Sequence, residues 1–312
     1  MAAPHGGFGF IDVDHVPVGV DELGVSVEAF QRLGFTVAPP RLREDSHALR
    51  PTETRHILFQ PARDDVANFI ALQDVIRPTA LSDELARVFS FLGDSQGVKS
   101  IVAYAPDIER SKALLADANI ATSDAHEHSE GWWHDEEADL DLPIRVRQLA
   151  LLSRRLPLSI NGFQTATLAH LRHPAWTAHE NSAVRLIGVI AVSRNARQDA
   201  AVVAAAFGVE HHETTSGRFE LTPRDVTVSV LTPDAFDRDY GLVDRSHEQI
   251  LPGYVGLTVA VSSADTASEV LERNGIAYER PHRGRILIPR HYAANTIVEL
   301  REISTFENVP TA

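Results

Sequence analysis

One unit is written four times along this chain. A short apolar strand runs into a helix-patterned stretch and then a small turn residue. The strand and turn anchors are His15 and Gly34, Ser100 and Asn119, Gly188 and Gly208, and Gly256 and Gly275, with separations of 19, 19, 20 and 19 residues. A near-constant internal length marks a duplicated supersecondary module. Further strand-like stretches follow each helix and no second helix does, so the module is βαβββ. Such a sheet buries its faces only by joining another module edge to edge. The expected fold class is α+β, with four βαβββ modules paired into two curled mixed sheets that enclose a cavity.

In module one, residues 10–20 alternate, with Ile11, Val13, His15, Pro17 and Gly19 on one face and Val16, Val18 and Val20 on the other. A helix is expected over 25–33, with strands over 35–38, 56–59 and 69–75. A helix over 82–92 leads into module two, which has a strand over 98–104, a helix over 109–118, a polar and acidic stretch over 124–142, and alternation again over 144–152. Residues 153–183 read as a long irregular connection, and a connection of that length is a linker or a site-lining segment. Module three takes 185–192, a helix over 198–207 and strands over 219–221 and 226–231, and 232–252 connect onward. Module four takes 255–261, a helix over 264–273 and strands over 285–288 and 296–302. Two domains are expected, 1–170 for modules one and two and 184–312 for modules three and four, with 171–183 joining them. In space the modules can pair one with two and three with four, or one with four and two with three.

A net charge of −14 argues against nucleic acid and anionic membrane partners, which require clustered Lys and Arg. Only Lys99 and Lys112 are lysines among 29 basic residues, which fits a GC-rich bacterial genome. The chain has no cysteine, so disulfides, thiolate metal sites and cysteine nucleophiles are excluded. A metal would be held by His and carboxylate, a donor set suited to Fe, Mn, Ni or Zn. No signal peptide or membrane-length apolar run is visible, and a soluble, cytoplasmic protein is expected. There is no P-loop, dinucleotide fingerprint, nucleophile elbow or zincin motif.

The stretch Asp14-His15-Val16-Pro17-Val18-Gly19-Val20, followed by a helix and Leu33-Gly34-Phe35-Thr36-Val37, resembles the opening of the vicinal oxygen chelate superfamily. That superfamily includes glyoxalase I, extradiol dioxygenases, and the bleomycin and fosfomycin resistance proteins. Val189-Ile190-Ala191-Val192 with Ala205-Ala206-Phe207-Gly208-Val209 is similar, as is Gly256-Leu257-Thr258-Val259-Ala260-Val261 with Thr296-Ile297-Val298-Glu299-Leu300. The segment from His173 to Ala183, with Trp176, His179 and Asn181, resembles one common in the glyoxalase-like branch. Together these cover nearly the whole chain. The resemblance implies metal ligands at two places per module, a His in the first strand and a Glu in the last. Here the first-strand positions are His15, Ser100, Gly188 and Gly256, and the last-strand positions are Ala71, one unassigned in module two, Ser229 and Glu299. Only His15 and Glu299 keep a ligand, so the resemblance implies that these two meet, as metal ligands or as a catalytic pair.

A metal usually takes about three protein ligands, and His56, His173, His179 and His291 are candidates for the third. Against this, His15 can be a strand histidine bonded to a carbonyl, and Glu299 a structural carboxylate paired with an Arg such as Arg285. His56, Trp176, His179 and Asn181 are candidate substrate contacts, with capping and packing as the plainer alternatives. His126, His128, His134 and Asp135 match no compact metal spacing, and Trp132 and Trp133 can wall a pocket or simply pack. The expected function is a metal-dependent, glyoxalase-like lyase or isomerase acting on a small oxygenated substrate, aromatic ones included. The alternatives are a non-catalytic small-molecule sequestering protein of the bleomycin-resistance type and a ring-cleaving extradiol-type dioxygenase. The cofactor is a divalent metal or none, the partner is a small molecule, and a homodimer is compatible with the sequence.

Overall fold

In a computed structural model, the described residues are 9–39, 54–60, 62–63, 65–74, 96–135, 140–152, 158–165, 174–241, 243 and 252–303, with the side chains of 128–135 and 140–144 outside the description. The helix expected over 82–92 and the candidate His173 lie outside the described residues.

Modules one and two share an eight-stranded mixed sheet. Module one gives β1 (Val13–Val20), α1 (Leu23–Arg32), β2 (Thr54–Leu58) and β3 (Phe69–Asp74). Module two gives β4 (Gly97–Val98), β5 (Ile101–Tyr104), α2 (Ile108–Asp117), β6 (His126–Asp135), β7 (Leu140–Ala150) and β8 (Ile160–Thr165). The strand order is β2-β3-β1-β5-β8-β7-β6, with β4 also on β1. After α3 (Pro174–Thr177), module three gives β9 (Ala183–Val192), α4 (Ala196–Phe207), β10 (His212–Thr215), β11 (Arg218–Leu221) and β12 (Thr227–Leu231), and then α5 (Pro233–Tyr240). Module four gives β13 (Gly253–Val261), α6 (Ala264–Arg273), β14 (Glu279–His282), β15 (Arg285–Ile288) and β16 (Ile297–Glu302). The second sheet has the order β10-β11-β12-β9-β13-β16-β15-β14. In both sheets the first strands of the two modules pair antiparallel, β1 with β5 and β9 with β13. The pairing is thus one with two and three with four.

The four turn residues found by spacing share one backbone state: Gly34, Asn119, Gly208 and Gly275 have φ of 88°, 58°, 66° and 67°. The four module helices are therefore each stopped by a left-handed residue, which glycine adopts without steric cost and asparagine tolerates.

The strand expected over 35–38 does not form, an unexpected one, β14, forms over 279–282, and three further elements differ from the sequence expectation. β6 forms where the sequence reads as a polar stretch; it is an edge strand, and a polar, charged edge discourages pairing with other chains. β8 lies inside the supposed irregular connection and supplies the last strand of module two. Gly162 breaks its alternation for a packing reason, since a Cβ there would lie 2.5 Å from the Phe10 ring. α5 replaces part of the expected connection, and it starts with a Thr232 hydroxyl accepting from Ala235 N and a proline in its first turn.

The helices lie between the two sheets. One continuous core joins Val16, Val18, Ile70 and Ile101 of the first sheet, Val189, Val228, Val259 and Leu300 of the second, and Phe30, Leu115, Val203 and Leu271 of the helices. Across this layer Phe10 meets Phe207 edge-on at 5.9 Å, and Asn274 donates to Arg32 O at 2.8 Å. Asn68 bonds both backbone groups of Leu186, and the buried Asp12 accepts from Asp225 N and Val226 N, so polar struts also tie the halves. Smaller apolar clusters occupy the opposite faces, which we call outer. Ile190, Val192, Leu231, Phe236, Tyr240, Leu287 and Ile297 form one on the second sheet. On the first sheet lie Leu58, Phe69 and Ala71 with Trp176, and separately Val102, Val146 and Phe163. With the helical layer between them, the two outer faces turn away from each other.

Candidate functional site

His15 and Glu299 are not brought together. His15 is on β1 of the first sheet, and Glu299 is on β16 of the second, each on its own outer face. The expected shared cavity between the halves is replaced by packed helices, because the apolar sides of both sheets face the same layer.

Strand register explains what each half retains. In the second sheet, Gly188, Thr258 and Glu299 sit side by side on β9, β13 and β16. In the first, His15, Val102 and Asn161 sit side by side on β1, β5 and β8. Thr258 and Val102, rather than Gly256 and Ser100, are thus the neighbours of the last-strand positions. The imidazole survives in one row and the carboxylate in the other. Neither row holds the two or three His and carboxylate donors that a metal requires, and no group of three His, Asp or Glu residues suited to a metal occurs among the described residues. The residues present do not fit a metal bound jointly by His15 and Glu299.

Glu299 is fully buried and saturated. Its Oε2 accepts from the Tyr240 hydroxyl at 2.8 Å and from Thr258 Oγ1 at 3.4 Å. Its Oε1 accepts from Arg285 Nε at 3.0 Å and Arg301 Nη2 at 2.7 Å. Burial pushes its pKa up, but the Arg301 and Arg285 guanidinium groups outweigh burial and hold the carboxyl below its ordinary range. Arg285 lies over the Tyr240 ring, and Arg218 bridges Glu220, Asp239 and Ser229 alongside. The α5 side chains Phe236 and Tyr240 fill the space over this row. The second outer face is an ion-paired, helix-covered core.

The first outer face is different. Asp14 Oδ1 and His15 Nδ1 are 2.6 Å apart, in a bulge of β1. With Asp14 as a carboxylate, which only accepts, the contact needs a hydrogen on Nδ1, and in a neutral imidazole that leaves the lone pair on Nε2. Nε2 makes no hydrogen bond to the described residues. The His15 ring stacks on Phe69 at 4.2 Å and 13°, and meets Phe163 edge-on at 5.4 Å and 88°. His56 stands edge-on to the other part of Phe69 at 5.1 Å, and Trp176 packs on the Phe69 cluster. Asp14 Oδ2 and Asn161 Oδ1 are buried without a hydrogen-bond partner among the described residues. Of the six residues singled out by sequence, this face gathers His15, His56 and Trp176. Sequence reasoning missed Asp14, Phe69, Phe163 and Asn161. Asp14 was legible as a carboxylate adjoining a candidate imidazole, and the others require the register.

His179 and Asn181 act as struts. His179 Nδ1 accepts from Thr36 N at 3.0 Å, and Nε2 donates to Leu58 O at 2.9 Å. Asn181 is fully buried, donating to Leu33 O and accepting from Ala183 N. With both polar ends spent on backbone, neither has an atom left for a substrate. His291 packs against Tyr292 with the rings tilted by 42° in a short 3-10 turn before β16, outside both rows.

Burial pushes the His179 pKa down to about 4, and burial pushes the Asp12 carboxyl up to about 7. The two have opposite linkage. His179 binds fewer protons folded than unfolded, so its contribution is present above pH 6.5 and is lost as the pH falls toward 4. Asp12 binds more protons folded, so its contribution is present below pH 3.8 and is lost as the pH rises toward 7. In the intact protein the slopes oppose between pH 4 and 6.5. Denaturant unfolding across that window should show His179→Gln losing stability as pH rises and Asp12→Asn gaining it, each by about 1.4 kcal/mol per pH unit relative to wild type. Parallel curves for wild type and both variants would refute the assignment.

The family comparisons agree with this architecture. A family model for the glyoxalase-like domain matches residues 13–207, more than half of the chain. No curated protein matches the sequence. Among solved structures, a hypothetical protein from Staphylococcus aureus is similar at a TM-score of 0.63 and 12% identity, covering 94% of this chain and 99% of that one. A single-residue variant of homoprotocatechuate 2,3-dioxygenase from B. fuscum follows at 0.57 and 12%, covering 93% and 71%. A Mn(II)-bound glyoxalase from Novosphingobium aromaticivorans is similar at 0.56 and 12%, covering 94% and 82%. At such identities the structural likeness establishes the fold alone. The family match and the four-module fold together show that this chain belongs to the glyoxalase-like domain family of the vicinal oxygen chelate superfamily.

Proposed function

We propose that this protein is a lyase or isomerase that transfers a proton on a small oxygenated, aromatic substrate at the outer face of its first sheet. His15 Nε2 is the base, and Asp14 is the residue that positions it. The observation that carries this reading is the 2.6 Å Asp14–His15 contact beneath a ring held between Phe69 and Phe163. An imidazole whose Nδ1 hydrogen is fixed on a carboxylate presents a defined basic lone pair, which is what general base catalysis at neutral pH needs. Phe69, Phe163 and Trp176 supply an apolar, aromatic wall.

The chemistry is balanced without a further reagent. Nε2 takes a proton from carbon beside a carbonyl, the electron pair moves onto the carbonyl oxygen, and the imidazolium returns the proton to a neighbouring atom. Incorporation of solvent deuterium into 2-hydroxyacetophenone and ring-substituted analogues, followed by proton NMR, tests this. Exchange is expected with wild type and not with His15→Asn. The split of the donors between two rows also favours a second reading, in which the same face sequesters an aromatic ligand without turnover. Saturable binding of these ketones with no exchange in any of them would select that reading.

A further inference from the structure

We infer that a cleft between the two halves binds a small zwitterion of the amino-acid type, with its ammonium toward Asp21 and Glu22 and its carboxylate toward His291. The cleft has a volume of about 580 Å³, within the range of small-molecule sites. It belongs to the helical layer, not to the outer face that carries His15. One wall is a single face of α1, since Glu22, Val25, Ser26 and Ala29 fall at the i, i+3, i+4 and i+7 positions. The other wall is the turn from Arg290 to Asn295 ahead of β16. Asn295 fixes that turn against the first half. Its Oδ1 accepts from Arg290 Nε at 2.7 Å, and its Nδ2 donates to Gln96 O at 3.1 Å. Gln96 Nε2 in turn donates to Asp21 Oδ2. Ala294 and Asn295 both have positive φ, 46° and 60°, and a left-handed alanine persists only where its surroundings impose it.

Two side chains in this cleft call for an occupant. Ser26 is only 6% exposed, and its hydroxyl makes no hydrogen bond to the described residues. A buried hydroxyl without a partner is costly, and the cleft it lines has room for one. Val25, one residue before it, is the most exposed large apolar side chain among the described residues, at 59%. Charge then sets the class of ligand. Asp21 and Glu22 are exposed carboxylates at the start of α1, and Glu22 makes no capping bond. Arg290 and His291 place basic groups on the turn. The exposed His291 ring makes no hydrogen bond to the described residues, so its N–H can serve a carboxylate. A simple anion meets Asp21 and Glu22, and a simple cation meets Arg290 and the positive end of α1. A molecule carrying both charges suits both walls, and an aliphatic side chain on it covers Val25, Ala29 and Ala294.

The test uses L-norleucine, N-acetyl-L-norleucine and L-norleucinamide, with dissociation constants read from ligand proton NMR line widths on the full chain. Wild type is expected to bind norleucine about threefold to tenfold more tightly than either blocked form, the worth of one hydrogen bond at each end. This comparison needs no variant, so no folding defect can mimic it. Glu22→Gln should erase the preference over the acetylated form, and His291→Ala the preference over the amide. Ser26→Ala should weaken norleucine by a similar factor. His15→Asn should leave all three constants unchanged, which separates this cleft from the outer face. No saturable binding of norleucine, as expected if water alone fills the cleft, overturns the assignment. Equal binding of the three probes overturns it too, as do preferences that survive in Glu22→Gln or His291→Ala, norleucine binding unchanged in Ser26→Ala, or binding lost in His15→Asn. None of these outcomes bears on deuterium exchange, which tests the base assigned to His15.

Discussion

Replacing Glu299 with glutamine should cost about 3–5 kcal/mol of folding stability, because it leaves the largely buried Arg285 guanidinium without its carboxylate partner. Arg285 and Arg301 both donate to Oε1, and the Tyr240 hydroxyl donates to Oε2. Glutamine can accept through one oxygen but carries no charge, and its NH2 group would face a donor. Arg301 is partly exposed and can turn to solvent, so most of the cost is expected from Arg285 and Tyr240. The pH dependence follows from the lowered carboxyl. A carboxyl held below its unfolded value of 4.5 contributes stability above that value and loses it as the pH falls through the folded one. Urea unfolding at pH 7 and at pH 3 checks both parts, and the difference between wild type and Glu299→Gln should shrink at the lower pH. The same variant should retain deuterium exchange at temperatures where it is folded, because the His15 face lies across the helical layer.

His15→Asn should lower the exchange rate by about 10²–10⁴-fold, the usual worth of a positioned general base. Asp14→Asn should lose at least about 10²-fold while substrate affinity stays near that of wild type, since the wall of Phe69 and Phe163 remains. The physical reason is the tautomer. An asparagine amide can donate to Nδ1, which moves the imidazole hydrogen onto Nε2 and removes the basic lone pair. A lower rate at unchanged affinity and unchanged urea unfolding separates this from simple misfolding. Equal rates for wild type and both variants would show that the face binds without proton transfer.

The recurrence of a strand, a helix and a left-handed stop was legible because it rests on local rules: apolar period two, apolar period 3.6 and a residue that tolerates positive φ. The same rules fail where tertiary contact decides. β8 is hidden in the sequence because Gly162 interrupts its alternation to admit the Phe10 ring. β6 is hidden because an edge strand needs no apolar face. α5 carries its cap and proline in plain view, yet its eight residues are too few for periodicity to show. His15 and Glu299 stand out by position within the module, and that position holds for each. What position cannot give is which modules share a sheet, and this alone separates the imidazole from the carboxylate. His179 and Asn181 stand out as polar residues in a long connection, and the connection uses them to bind itself to Thr36, Leu58 and Leu33.

The claim on which the rest depends is that the imidazole half and the carboxylate half work separately. Elemental analysis of protein purified without added metal tests it most directly, with wild type, His15→Ala and Glu299→Ala compared side by side. The account predicts no stoichiometric iron, manganese, nickel or zinc in any of the three. One equivalent in wild type that disappears in each single variant would mean that His15 and Glu299 share a metal, and would contradict it.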